Sequence, residues 1–157
     1  MNDDSYMARS EALINIAHLI RNNHIPISDE LLTAIRKRLR DPKNAVKIAT
    51  ISAIDALLEK NSTLADKYLS IMANEILLKS RSLRLKIKTL ECLLKHIDHI
   101  PREIINKHNL ARALDILEYN TIPKNQELRK IKTLARTLLE EKLGYTYELR
   151  QKLRKSE

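Results

Sequence analysis

Glycine occurs once in this chain of 157 residues, at Gly144, and that scarcity narrows the accessible folds more than any other feature. Sheet proteins reverse their strands through residues of positive φ, which glycine adopts most readily, and they pack aromatic side chains against β-branched ones. Phe and Trp are both absent here. A sheet protein cannot be assembled from such a set, so the chain reads as all-α.

Apolar spacing agrees with helix along nearly the whole length. Leu83, Ile87, Leu90, Leu94 and Ile97 step by four, three, four and three, which predicts one stripe along a helix near 83–98. A helix near 5–22 carries Leu13, Ile16, Ala17 and Ile20, and a second near 29–40 carries Leu31, Leu32, Ile35 and Leu39 behind Pro26 and a Ser28 cap. Asp41-Pro42 ends the second helix, because the residue before proline is pushed out of the α region, and a third follows near 44–60. Asn61-Ser62-Thr63 caps a fourth helix near 63–79, with Leu64, Tyr68, Met72, Ile76 and Leu77. Pro101 opens a short helical piece through Lys107, and Asn109 is read as the cap of a helix near 110–119. After Pro123 and Asn125 a long helix near 126–143 presents Leu128, Ile131, Ala135 and Leu138 and ends on Gly144 as a left-handed cap. A basic helix near 146–155 closes the chain.

Hydrophobic residues make up 43% and charged residues 31%, a globular balance, and no linker long enough to divide domains interrupts it. One domain spanning 1–157 is the expectation. Asp55, Glu91 and similar residues break every apolar stretch well short of the roughly 18 residues that cross a bilayer. Residues 1–10 carry Asp3 and Asp4 where a secretory leader would be cationic and then apolar, and Cys92, the sole cysteine, excludes an internal disulfide. The expectation is a cytoplasmic protein with no membrane partner. Charge is uneven: residues 1–80 sum to +1 and residues 81–157 to +8 of the formal +9, which points to an anionic partner for the second half.

Lys86-Ile87-Lys88-Thr89-Leu90 returns unchanged as Lys130-Ile131-Lys132-Thr133-Leu134, 44 residues on, each copy opening the second helix of a pair. Going back 36 or 37 residues, Ile51, Ile54 and Leu58 match Ile87, Leu90 and Leu94, while Leu32, Ile35 and Leu39 match Leu69, Met72 and Ile76. The segment Asp41-Pro42-Lys43-Asn44-Ala45-Val46-Lys47, followed by Ala49, Ala53, Ile54 and Leu57, resembles the turn and second helix of a HEAT or armadillo repeat. That resemblance implies a short α-solenoid, a HEAT-like superhelix of about three helix pairs over 28–143, capped by a helix in 1–27 and by the basic helix of 144–157. Physical chemistry supports stacking independently. In the helix near 44–60, Val46, Ile48, Ala49, Ile51, Ala53, Ile54, Leu57 and Leu58 wrap more of the circumference than one neighbour can cover.

Catalytic patterns are missing. Phosphate-binding loops and nucleophile elbows need glycines so that the backbone can close on substrate, and one glycine at a helix end does not supply them. No cofactor is implied. Cys92, His96 and His99 stand at i, i+4 and i+7 and form a weak metal candidate, set against the ordinary behaviour of a lone buried cysteine as a small hydrophobe. The cations carry more. Lys47, Arg84 and Arg129 or Lys130 occupy similar early positions on successive second helices, joined by Lys86, Lys88 and Lys132. The resemblance implies that such helices line a concave side, where these residues would form a ladder suited to nucleic acid or another anionic partner. Arg150, Lys152 and Arg154 of the tail extend the set, with Tyr145 and Tyr147 available to stack on bases. Against this stands the ordinary role of long cations, which solvate helix faces and pair with Glu91, Glu127 or Glu140. The expectation is a non-catalytic module that binds a partner protein, with nucleic-acid binding as the alternative.

Overall fold

The computed structural model describes residues 4–155, and among the described residues every regular element is helical. Asp3 of the acidic start and the last residues of the tail lie outside them. The contacts divide the chain into two compact units, Met1–Tyr68 and Leu69–Glu157.

In the first unit, helix α1 spans Asp4–Arg21, α2 spans Asp29–Arg38 and α3 spans Asn44–Lys60. Ser28 caps α2 as the sequence predicts, its hydroxyl accepting from the Leu31 N–H at 3.2 Å. Asp41 then stops the chain and accepts from the Lys43 N–H at 3.0 Å, an Asx-type turn that leads into α3. α3 is buried around most of its circumference by Val46, Ala49, Thr50, Ile51, Ala53, Ile54, Ala56, Leu57 and Leu58. α1 packs along α3 through Leu13, Ala17 and Ile20. Their direction is fixed by ion pairs at both ends: Arg9 meets Asp41 before α3 begins, and Arg21 meets Asp55 and Glu59 near its end, so the two helices run parallel.

The second unit consists of two helical hairpins and a closing helix. Residues 69–79 form the first arm and α4, Leu83–His96, the second; the short α5, Arg102–Lys107, leads to α6, Leu110–Asn120, which pairs with α7, Gln126–Arg136. The arm of 69–79 packs on α6, and α4 packs on α7, so like lies against like. Lys130 pairs with Glu91 and Lys142 with Asp98, which again sets the neighbouring helices parallel. α8, Tyr147–Lys155, lies against α6.

Several sequence expectations are corrected. The fourth helix is not regular: Ser62–Lys67 winds as a tight 3-10 helix, Tyr68 leaves the helical region at φ −122°, and Ile71–Leu77 winds as a wide π-helix. The break falls where Tyr68 is fully buried and its hydroxyl donates to the Leu32 carbonyl at 3.0 Å. The wide turn repeats every five residues or so, which buries Ile71 with Ile76 and Met72 with Leu77. The helix after α7 widens likewise over Thr137–Lys142, bringing Leu138 and Leu143 into the core. On α4 the buried face is Leu85, Thr89, Leu90, Cys92, Leu93 and His96, whereas Leu83, Ile87 and Leu94 of the predicted stripe are half-buried. The repeated pentapeptide is out of structural register. Moved by 44 residues, the buried positions of α4 fall on Arg129, Thr133, Leu134, Arg136, Thr137 and Glu140, none of them buried. Asn109 is not a side-chain cap: its backbone is left-handed at φ 57° and closes α5.

Candidate functional site

The densest polar chemistry lies where α8 meets α6. Asp115 and Glu118 stand almost one turn apart on α6 and are both buried, which two carboxylates tolerate only with cations beside them. Arg150 supplies them. Its guanidinium donates to Asp115 at 2.7 Å, pairs with Glu118 at 3.0 Å and reaches Glu140 at 3.0 Å, and it is buried itself. Arg154, one turn on, donates twice to Asp115, at 2.9 and 3.1 Å, and its guanidinium stacks over the Tyr119 ring 4.3 Å from the centroid. Lys132 closes the cluster, with Glu118 Oε2 at 2.7 Å, and its ammonium also donates to the Glu118 and Thr121 carbonyls at the end of α6. Burial pushes both carboxyls up, but the hydrogen bonds and charges of Arg154 and Arg150 hold Asp115 below its ordinary value, and those of Lys132 and Arg150 do the same for Glu118.

This arrangement sorts the cations named from sequence. Lys132, Arg150 and Arg154 face inward to carboxylates, and exposed Lys130 meets Glu91 at 3.2 Å. Arg84, Lys88, Arg129 and Lys152 are exposed, while Lys47 on α3 and Lys86 on α4 are half-buried. Cys92 and His96 share the buried face of α4, and His99 is exposed on the turn that follows.

Two of this unit's clefts combine charged side chains with aromatic or aliphatic walls. One, of about 550 Å³, is lined by Tyr119, Tyr145 and Tyr147 with Glu140, Arg150 and Arg154 among its polar walls. Tyr119 is 66% exposed and Tyr147 76% exposed, so two large aromatic faces border one concavity. The sequence reading named Tyr145 and Tyr147 but missed Tyr119; its signal is an aromatic residue at the far end of α6, out of phase with Leu110, Leu114 and Leu117. The other cleft, of about 330 Å³, lies between aliphatic side chains and receives Lys86.

Compared with protein-family models, with curated proteins and with solved structures, the chain matches none. Among the described residues no helix is long and apolar enough to cross a membrane.

Proposed function

We propose that the chain is a non-catalytic, HEAT-like interaction module, a short α-solenoid that binds a partner protein on its helical surface, with its first and last helices as caps. The like-against-like packing of the two hairpins in the second unit supports the repeat reading. The observation that carries partner binding is the tyrosine cleft. Tyr and Arg are the side chains that most often dominate interface energies, because they bury large area with few rotors and keep a polar end for hydrogen bonds. Here Tyr119 is already backed by Arg154, and Arg154 by Asp115, so that ring is braced before any partner arrives. The test is capture with wild-type bait and with the Tyr119→Ala, Tyr147→Ala double variant. A specific protein partner should survive washing at about 0.3 M salt on the wild type and be lost from the variant at an unchanged melting temperature. Equal capture by both proteins, or no partner under any growth condition, counts against the reading.

The nucleic-acid alternative rests on Arg84, Lys88 and Arg129, which are exposed in the second unit with no ion-pair partner among the described residues. Such binding would fall steeply with salt. A mobility-shift series settles it, since no retardation even at low salt removes the alternative.

A further inference from the structure

Leu77, Leu78, Ile116, Leu117, Ile122 and Leu128 form the apolar walls of the smaller cleft of about 330 Å³, which Asn120 and Thr121 also line. Neither an aromatic nor an acidic side chain lines it. Lys86 enters from α4 and Lys124 from the link between α6 and α7. The surrounding chemistry makes Lys86 unusual. Lys130, Lys132 and Lys142 of the same unit each meet a carboxylate within 3.2 Å, whereas among the described residues Lys86 has no ion-pair partner although it is half-buried. Partial loss of water without a compensating anion lowers its pKa from the ordinary lysine value.

An occupant must therefore bring the negative charge the lining lacks and match its apolar part, which is aliphatic. Phosphate fails the second condition: it would leave the six aliphatic side chains uncovered, and the lining offers two lysines but no arginine to grip a dianion through a bidentate fork. A planar aromatic ring would find no stacking partner. We propose that this cleft binds an aliphatic monocarboxylate, with its hydrocarbon chain against the leucine and isoleucine walls and its carboxylate accepting from the Lys86 ammonium. The volume is near the lower limit for small-ligand pockets, about 300 Å³, which suits a chain of roughly eight carbons. Lys124, exposed at the rim, adds attraction without being stripped of water.

Octanoate is the probe, followed by titration calorimetry on the full chain. One saturable site is expected. Octan-1-ol and octylamine should bind at least about tenfold more weakly than octanoate, as should octanoate to Lys86→Met, with a smaller loss for Lys124→Met. On the wild type, octanoate should shield Lys86, but not exposed Lys88, from an amine-acylating reagent, and this readout stands even where Lys86→Met does not fold. Absence of saturable binding, octanol binding as tightly as octanoate, or equal modification of Lys86 with and without octanoate overturns the proposal. So does binding of a peptide ending in a leucine carboxylate where octanoate fails, which would assign the cleft to a protein terminus. The tyrosine variants leave octanoate binding unchanged, so failure here and failure of partner capture are separate results.

Discussion

Asp41 shows how much one residue can do that its sequence neighbourhood half reveals. Asp-Pro is legible as a helix stop, and Asp41 does end α2, yet the carboxylate is also buried and grips the Arg9 guanidinium through two bonds, at 2.8 and 2.9 Å. Burial would raise its pKa; the Arg9 and Lys43 hydrogen bonds and the charges of Arg9 and Arg38 more than offset that and lower it. Asp41→Asn keeps the size and the turn but cannot accept twice from Arg9, so a loss of about 2 kcal/mol is expected in denaturant unfolding. An unchanged midpoint would mean that the pair contributes nothing. The pairing with Arg9 was not legible, because a contact across 32 residues leaves no local signature. The pentapeptides make the converse point. Identical letters placed Lys86 in an aliphatic cleft and Lys130 beside Glu91, since burial is decided by phase relative to neighbouring helices rather than by the five residues themselves.

At the scale of elements, the scarcity of glycine leaves a visible mark on helix ends. A left-handed residue normally closes an α-helix, and with a single glycine available Asn23 and Asn109 take positive φ after α1 and α5, while Gly144, at φ 76°, closes the π-helix after α7. Elsewhere cations reach the orphan carbonyls: Lys60 donates to the Arg21 carbonyl, Lys132 to two at the end of α6, and Arg102 to Leu143. Part of the lysine and arginine excess is thus structural. Helix existence was legible from spacing, and two caps from Ser28 and Asn61; that Asn125 caps α7 through its side chain was not. The 3-10 and π segments were not, because they answer to core shape. Gly144→Ala meets no atom within 4 Å, so only backbone strain opposes it, and a loss of about 1 kcal/mol is expected. α8 is a stronger case. Removing residues 146–157 takes both arginines from Asp115 and Glu118, and Arg150→Met alone should lower stability by about 3 kcal/mol. A truncated chain that melts with the full chain would instead make α8 a detachable arm.

At the scale of the whole molecule, the formal charge of +9 sets how stability responds to acid. Asp41, Asp115 and Glu118 all have pKa values held below their ordinary range by cations. A group depressed on folding binds its proton more readily when unfolded, so its contribution is complete above the unfolded pKa, about 4, and is lost as pH falls through the folded value. Each protonation also removes a negative charge from a molecule already rich in positive ones, weakening the ion pairs of Arg9, Arg150 and Lys132 as overall repulsion rises. The melting temperature should therefore be flat from about pH 7 to pH 5 and fall steeply below about pH 4. Raising the pH should not reproduce the loss below about pH 9, since the arginine partners are raised further above a pKa that already lies beyond that range. Asp41→Asn should flatten the acid limb, because one of the linked protons is gone. Thermal melts of wild type and variant across that range decide it: an acid limb equally steep in both would show that Asp41 takes no part in the linkage.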